Sequence, residues 1–186
     1  MHMRRPNPDV GRTTASGVLG RGWLARTVED HLGSRDVGRV IYGSVIGLAL
    51  VVALQDHPPT AAQTAVEFIA AALAVGLADA YSEAVGGQAR TRRQIGAAEI
   101  RTAVRNALPV IFGAGFPAVF FCIAAAGLLD TSAAFTVSKW TGLGIILGYG
   151  FLAGRLSGAG VGRAVVHAAL VGAIGGGVIL LKAVVH

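Results

Sequence analysis

Five long apolar segments, separated by short polar links, divide most of the chain. The segments cover residues 40–54, 61–85, 108–129, 133–153 and 164–185. Each approaches the roughly 20 residues that an α-helix needs to cross about 30 Å of hydrocarbon. Buried helices of soluble proteins are rarely so long and so uniformly apolar. The pattern therefore predicts an all-α integral membrane bundle of five transmembrane helices, which occupies residues 37–186.

Residues 1–36 precede the first apolar segment and predict a separate, basic cytoplasmic region. Within it, five apolar positions fall roughly on one helical face, namely Val18, Trp23, Leu24, Val28 and Leu32. This spacing favours a short helix on the membrane surface, with the tryptophan at the depth of the lipid headgroups. A partly ordered tail explains the same residues equally well, and the sequence leaves both interpretations open.

The arginines occur only in the N-terminal segment and in alternate links. Residues 86–107 contain five of them, and the link between the last two apolar segments contains Arg155 and Arg163. The links at residues 55–60 and 130–132 contain neither lysine nor arginine. Because basic residues collect at the cytoplasmic ends of membrane helices, this pattern predicts five crossings, a cytoplasmic N-terminus and an external C-terminus. We expect a multi-pass protein of a bacterial-type cytoplasmic membrane.

The composition agrees with lipid as the main partner. Hydrophobic residues make up 53% of the chain, charged residues make up 14%, and the mean hydropathy is +0.61. The net charge of +6 comes from arginines that lie where anionic headgroups would attract them. Aromatic residues are not interleaved with these arginines, so we expect no nucleic-acid partner.

Motifs of enzyme chemistry are missing from the sequence. A single cysteine, Cys122, excludes an intrachain disulfide and a cysteine-based metal cluster. The sequence shows no Ser-His-Asp set in a suitable context, no phosphate-binding loop and no His-x-x-x-His spacing. We therefore expect neither an enzyme nor a bound cofactor.

Three acidic residues interrupt the second apolar segment: Glu67, Asp79 and Glu83. Placing an aspartate at the centre of a membrane helix costs about 2.5–3.5 kcal/mol, so such residues mark candidate functional sites. Asp79 and Glu83 are four residues apart and share a helical face, whereas Glu67 lies roughly 18 Å away along the axis. We interpret the three as stations on a path for a small cation or proton, with Asp79 and Glu83 as the pair that coordinates it.

A structural role for these acids is the alternative. Glu83 is close enough to the inner interface to be solvated or to pair with Arg90 or Arg92, and Glu67 lies at a depth similar to that of Lys139. Acids that are paired in this way would belong to a membrane scaffold or interaction protein that transports nothing.

Glycines with a spacing of four residues mark the fourth segment, at Gly144-x-x-x-Gly148 and Gly150-x-x-x-Gly154. Such spacing lets helix backbones approach each other closely. Together with the small residues of the first two segments, it predicts tight helix packing and a homodimer.

Three stretches are similar to those of a known family. Residues 142–181 look like a glycine-rich fourth helix, a short basic turn and a final helix, and the first helix opens with the Val-Ile-Tyr-Gly of residues 40–43. Residues 76–88 form an acid-bearing stretch of small residues at the end of the second helix. In this order the stretches resemble the vacuolar iron transporter family, as a small, divergent bacterial-type member without its cytoplasmic metal-binding domain.

This resemblance implies a dimer that moves Fe²⁺ or Mn²⁺ out of the cytosol in exchange for protons. It implies that Asp79 and Glu83 bind the transported metal, because the family's path uses carboxylates and a methionine on its first two helices. The chain departs from the family where Ser44, Val45 and Ile46 follow Gly43 in place of an Asn-Asp pair. It also has no methionine after Met3.

Overall fold

A computed structural model describes residues 34–92 and 96–185 of the chain, which form five α-helices and no strands. The helices are α1 (Ser34–Leu54), α2 (Ala61–Thr91), α3 (Ala97–Ala125), α4 (Thr131–Leu156) and α5 (Val161–Val185). The predicted surface helix within residues 1–36 lies outside the described residues. The five predicted apolar segments each correspond to one helix, and the all-α prediction is confirmed for the described part.

Four of the five helices are long and apolar enough to cross a membrane: α1, α2, α3 and α5. The remaining helix, α4, has 26 residues and at about 1.5 Å per residue is also long enough. Its first half contains Ser138, Lys139 and Thr141, which lower its mean hydropathy. The fold is that of a membrane helical bundle.

The link predicted over residues 86–107 is mostly helical, which corrects the sequence-based boundaries. Helix α2 runs on to Thr91 and ends where Arg92 adopts a left-handed conformation with φ 52°. Helix α3 starts after Gly96, whose main-chain N–H donates to the side chain of Glu99. Alanine, glutamine and arginine favour helices whether or not they lie in lipid, so the helices extend past the apolar segments.

The centre of the bundle is α1, which packs against each of the other four helices. Helices α2 and α3 form the most extensive pair, and α3 also contacts α4. Helix α5 packs against α4 and α1. Thus α2 and α5 lie at opposite margins of the bundle, and α1 crosses between them.

An aromatic core at one end of the bundle shows that successive helices are antiparallel. It joins Val51 near the end of α1, Phe68 near the start of α2, Phe121 near the end of α3 and Phe135 near the start of α4. The Phe121 ring lies with its centroid 5.4 Å from that of Phe68 and 4.6 Å from that of Phe135. We call this end the aromatic end.

The opposite end, which we call the arginine end, combines the starts of α1, α3 and α5 with the ends of α2 and α4. The arginines of the described helices and turns all belong to it, at positions Arg35, Arg39, Arg90, Arg92, Arg101, Arg105, Arg155 and Arg163. The alternation seen along the sequence is therefore a segregation of charge in three dimensions.

Glycines allow two close helix crossings. An added Cβ at Gly43 of α1 would lie 2.3 Å from the main-chain oxygen of Val110, and one at Gly113 of α3 would lie 2.4 Å from that of Val40. A Cβ at Gly154 of α4 would lie 2.8 Å from the Cα of Ala164 in α5. The predicted tight packing is confirmed for these positions.

The two glycine pairs of α4 differ in their surroundings. Gly150 and Gly154 pack against α5, whereas a Cβ at Gly144 or Gly148 would meet nothing within 4 Å. Gly144 and Gly148 therefore leave a surface of small residues uncovered on α4.

Candidate functional site

Asp79 and Glu83 of α2 both face Arg39 of α1 at the arginine end of the bundle. Arg39 Nη2 lies 2.5 Å from Glu83 Oε2, and Arg39 Nε lies 3.7 Å from Asp79 Oδ2. The three side chains are 20–26% exposed. The spacing of four residues brings the two acids to one helical face, as predicted, and α1 supplies the cation opposite them.

Asn106 of α3 completes the group. Its side-chain Nδ2 donates to Glu83 Oε1 at 2.9 Å, and its main-chain oxygen accepts from Arg39 Nη1 at 2.8 Å. Arg39, Asp79, Glu83 and Asn106 form what we call the Arg39 cluster. Three helices are joined by it, and both oxygens of Glu83 are engaged.

One oxygen of Asp79 has no hydrogen-bond donor in the described structure. Oδ2 is buried, and the 3.7 Å to Arg39 Nε is short enough for an ion pair but too long for a hydrogen bond. The guanidinium therefore attracts this carboxylate by charge, but it donates no hydrogen bond to Oδ2. Buried polar atoms are nearly always hydrogen-bonded, so an exception calls for a physical explanation.

A cleft of about 340 Å³ opens beside Glu83, between the end of α2 and the start of α3. It is lined by Glu83, Ala84, Gly87, Gln88, Arg90, Thr91, Ala98, Glu99, Thr102 and Ala103. The cleft gives Glu83 a polar approach from the arginine end. Its mixed lining differs from the apolar surface of the helices further along.

Glu67, the third predicted path residue, is not part of the cluster. It lies on the exposed side of α2, nearer the aromatic end, beside the exposed side chains of Val66 and Ile69. Among the described residues, Glu67 and Lys139 form no ion pair. The structure thus brings Asp79 and Glu83 together and leaves Glu67 apart.

Arg39 and Asn106 are the members of the cluster that sequence reasoning missed. Arg39 precedes the first apolar segment of residues 40–54, and Asn106 lies in the predicted link of residues 86–107. The alternative partners of Glu83, Arg90 and Arg92, are exposed. The short first apolar segment indicates that Arg39 belongs to the first helix, because a helix of about 20 residues that ends at Leu54 must begin before Arg39.

The described cluster contains two carboxylates, those of Asp79 and Glu83. The described residues contain no group of three or more His, Cys, Asp or Glu side chains placed to hold a metal ion. Asp79 and Glu83 therefore need further ligands if they are to hold a divalent metal.

The fold and the cluster define a class: a helical membrane protein with an ionic cluster inside its bundle. No protein-family model, curated protein or solved structure matches the chain.

Proposed function

We propose that this protein is a homodimeric, multi-pass transporter or channel for a small cation, in which Asp79 and Glu83 form the ion site. One observation carries the proposal: Asp79 Oδ2 is buried within helices that can span a membrane, and no group in residues 34–92 or 96–185 donates to it. An acceptor of this kind is suited to a passing cation or proton, because either would satisfy it transiently.

The free-energy cost of placing charged side chains inside membrane helices supports a functional role for the Arg39 cluster. Charged side chains inside membrane helices are expensive, and they mostly mark ion pathways or proton relays. A purely structural tie between helices needs one acid for one arginine, whereas this cluster places two acids beside Arg39. The cleft beside Glu83 provides an approach for an ion from the arginine end.

The segregation of arginines supports a topology with five crossings, a cytoplasmic N-terminus and His186 outside. The arginine end would face the cytoplasm, and α4 would cross the bilayer despite the polar residues of its first half. The Arg39 cluster would then lie near the inner leaflet, where an ion enters from the cytosol.

Glu67 fits the proposal as a second ion-binding residue on the transport path, near the outer leaflet. It is exposed among apolar side chains on a single copy of the chain, and lipid would be a poor environment for it. A second copy packed against α2 would cover Glu67 and let both copies contribute to one path.

A membrane scaffold is the second candidate, and the Arg39 cluster itself is the observation that favours it. Arg39 contacts both acids and Asn106, so the cluster ties together α1, α2 and α3. Breaking a buried ion pair costs about 3–5 kcal/mol, which is reason enough to keep the residues.

Transport and melting temperature, measured on the same samples, separate the two candidates. Under the proposal, Asp79→Asn and Glu83→Gln abolish the flux of Fe²⁺, Mn²⁺ or H⁺ in liposomes while the bundle stays folded. Asp130→Asn is the matched control, because Asp130 is exposed at the aromatic end and its side chain makes no capping hydrogen bond to α4. Absence of wild-type flux for every one of these ions would leave the scaffold as the function that the cluster serves.

A further inference from the structure

An apolar groove of about 510 Å³ opens on the side of the bundle, where α2, α3 and α4 meet. Leu73 of α2, Phe112 and Val119 of α3, and Ile145 of α4 are among the residues that line it. Leu73, Phe112 and Val119 are each more than half exposed, so the groove is open along its length. Because α2 and α3 are long and apolar enough to span a membrane, the groove faces the hydrocarbon of the bilayer.

Two exposed arginines continue the α3 side of this groove towards the arginine end. An α-helix turns about 100° per residue, so Arg101, Arg105 and Phe112 project within about 40° of one another. Val119 falls in the same sector of the helix. Among the residues that the structure describes, neither of these arginines forms an ion pair. One face of α3 therefore joins two positive charges to an apolar groove.

The distances along α3 match the depth of one leaflet. The rise is about 9 Å from Arg105 to Ile111, where the groove begins on this helix, and about 13.5 Å from there to Phe120, where it ends. One leaflet contributes about 15 Å of the roughly 30 Å of hydrocarbon. The exposed side chain of Leu108 lies between the arginines and the groove. A phospholipid whose phosphate contacts Arg105 can therefore lay an acyl chain past Leu108 and into the groove.

Arginine is well suited to a lipid phosphate, because its planar guanidinium donates two parallel hydrogen bonds to phosphate oxygens. Basic side chains beside membrane helices attract anionic headgroups at the cytoplasmic surface. The quaternary ammonium of a zwitterionic lipid such as phosphatidylcholine offsets this attraction. Two arginines on one face therefore favour a headgroup with a net negative charge.

We infer that this face of the bundle is a binding site for an anionic phospholipid. The phosphate contacts Arg101 and Arg105, and an acyl chain fills the groove between α2, α3 and α4. The inference does not depend on ion transport, and it applies equally to a transporter and to a scaffold.

Quenching of tryptophan fluorescence by brominated acyl chains tests the site, in phosphatidylcholine vesicles that contain phosphatidylglycerol as the anionic lipid. Phe112→Trp reports on the groove, in a chain whose two natural tryptophans are replaced by phenylalanine. Leu170→Trp is the matched control, because exposed Leu170 follows exposed Arg163 by seven residues on α5, as Phe112 follows Arg105 on α3. Brominated phosphatidylglycerol should half-quench position 112 at a mole fraction roughly fivefold lower than position 170, the effect of one further arginine.

Removal of both arginines should abolish this preference. Arg101→Gln/Arg105→Gln should bring half-quenching at position 112 to the mole fraction seen at position 170, whereas Arg101→Lys/Arg105→Lys keeps the charges and should keep most of the preference. Brominated phosphatidylcholine with the same acyl chains should quench both positions equally. Equal quenching of the two positions by phosphatidylglycerol, with both arginines present, would overturn the inference. Weak quenching of position 112 by either lipid would also overturn it, because protein would then cover the groove, as in a dimer that packs there.

A measurement on the wild-type chain keeps the inference testable if the variants fail to fold. The chain is purified in detergent, mixed with equal amounts of phosphatidylglycerol and phosphatidylcholine of the same acyl chains, and studied by native mass spectrometry. Phosphatidylglycerol should remain bound roughly fivefold more often than phosphatidylcholine. Glycerol 3-phosphate has the phosphate without acyl chains and should not displace it. Retention of both lipids in equal amounts, or displacement by glycerol 3-phosphate, would count against a phospholipid site.

Discussion

At the scale of single residues, the ratio of two acids to one arginine sets how the cluster responds to substitution. Loss of one acid still leaves one carboxylate beside Arg39. Loss of both leaves the guanidinium with the main-chain oxygen of Asn106 and with neither of its two described carboxylates. The two acids also differ, because Glu83 is hydrogen-bonded to Arg39 and Asn106, whereas Asp79 interacts with Arg39 by charge alone.

We therefore expect Asp79→Asn to melt at or above the wild-type temperature, since it neutralises a buried oxygen that lacks a donor. The double variant Asp79→Asn/Glu83→Gln should be destabilised by about 3–5 kcal/mol, the usual cost of a buried charge left without its partner. Thermal unfolding in one detergent, followed by circular dichroism, measures both. A double variant as stable as the wild type would mean that Arg39 is solvated instead of paired.

At the scale of the helices, the crossing of α1 and α3 holds the cluster in register. Gly43 lies one turn after Arg39 and sits against the main chain of α3, whose Asn106 oxygen accepts from Arg39. A side chain at this crossing would separate the helices and lengthen that hydrogen bond. The close approach thus connects backbone packing to the geometry of the site.

Gly43→Ala should destabilise the bundle by about 1–3 kcal/mol, the typical cost of an overpacked core. Its Cβ would lie 2.3 Å from the Val110 oxygen, which belongs to the backbone and cannot move aside cheaply. Gly38→Ala is the matched control on the same helix, because a Cβ there meets nothing within 4 Å. The control should be neutral or stabilising, since alanine favours helix over glycine by about 1 kcal/mol. Equal melting temperatures of the two variants would contradict the observed crossing.

At the scale of the whole molecule, the segregation of charge and the antiparallel order of the described helices are the observations that support the proposed topology. Hairpin connections place the turns after α1 and α3 at the aromatic end, and those after α2 and α4 at the arginine end. Helix α4 decides whether the chain crosses the membrane five times, because it is the one described helix that is not identified as a membrane span by its length and composition.

Labelling of single cysteines in intact cells tests this topology, in a Cys122→Ala background. Cysteines at His57 and Ser132 should react with a membrane-impermeant reagent from outside, whereas cysteines at Gly96 and Ser157 should react only after the membrane is opened. Reaction of Ser132→Cys and Ser157→Cys on the same side would show that α4 does not cross.

The number and order of the helices were predictable from the apolar pattern alone. Each crossing needs about 20 apolar residues, and that requirement is visible in the sequence before any packing is known. The same cost of burial singled out Asp79 and Glu83, which the structure does bring together. Their spacing within one helix was sufficient for that prediction, since helical geometry is local.

Which basic side chain faces Asp79 and Glu83 was decided by the tertiary structure alone. Arg39 and Glu83 are 44 residues apart, and their contact depends on how far α1 extends and how closely it crosses α3. Hydropathy does not record the rotation or the crossing of helices, because many rotations bury equally apolar faces. The close approach at Gly43 and Gly113 selects one of them, and that selection puts the guanidinium against the carboxylates.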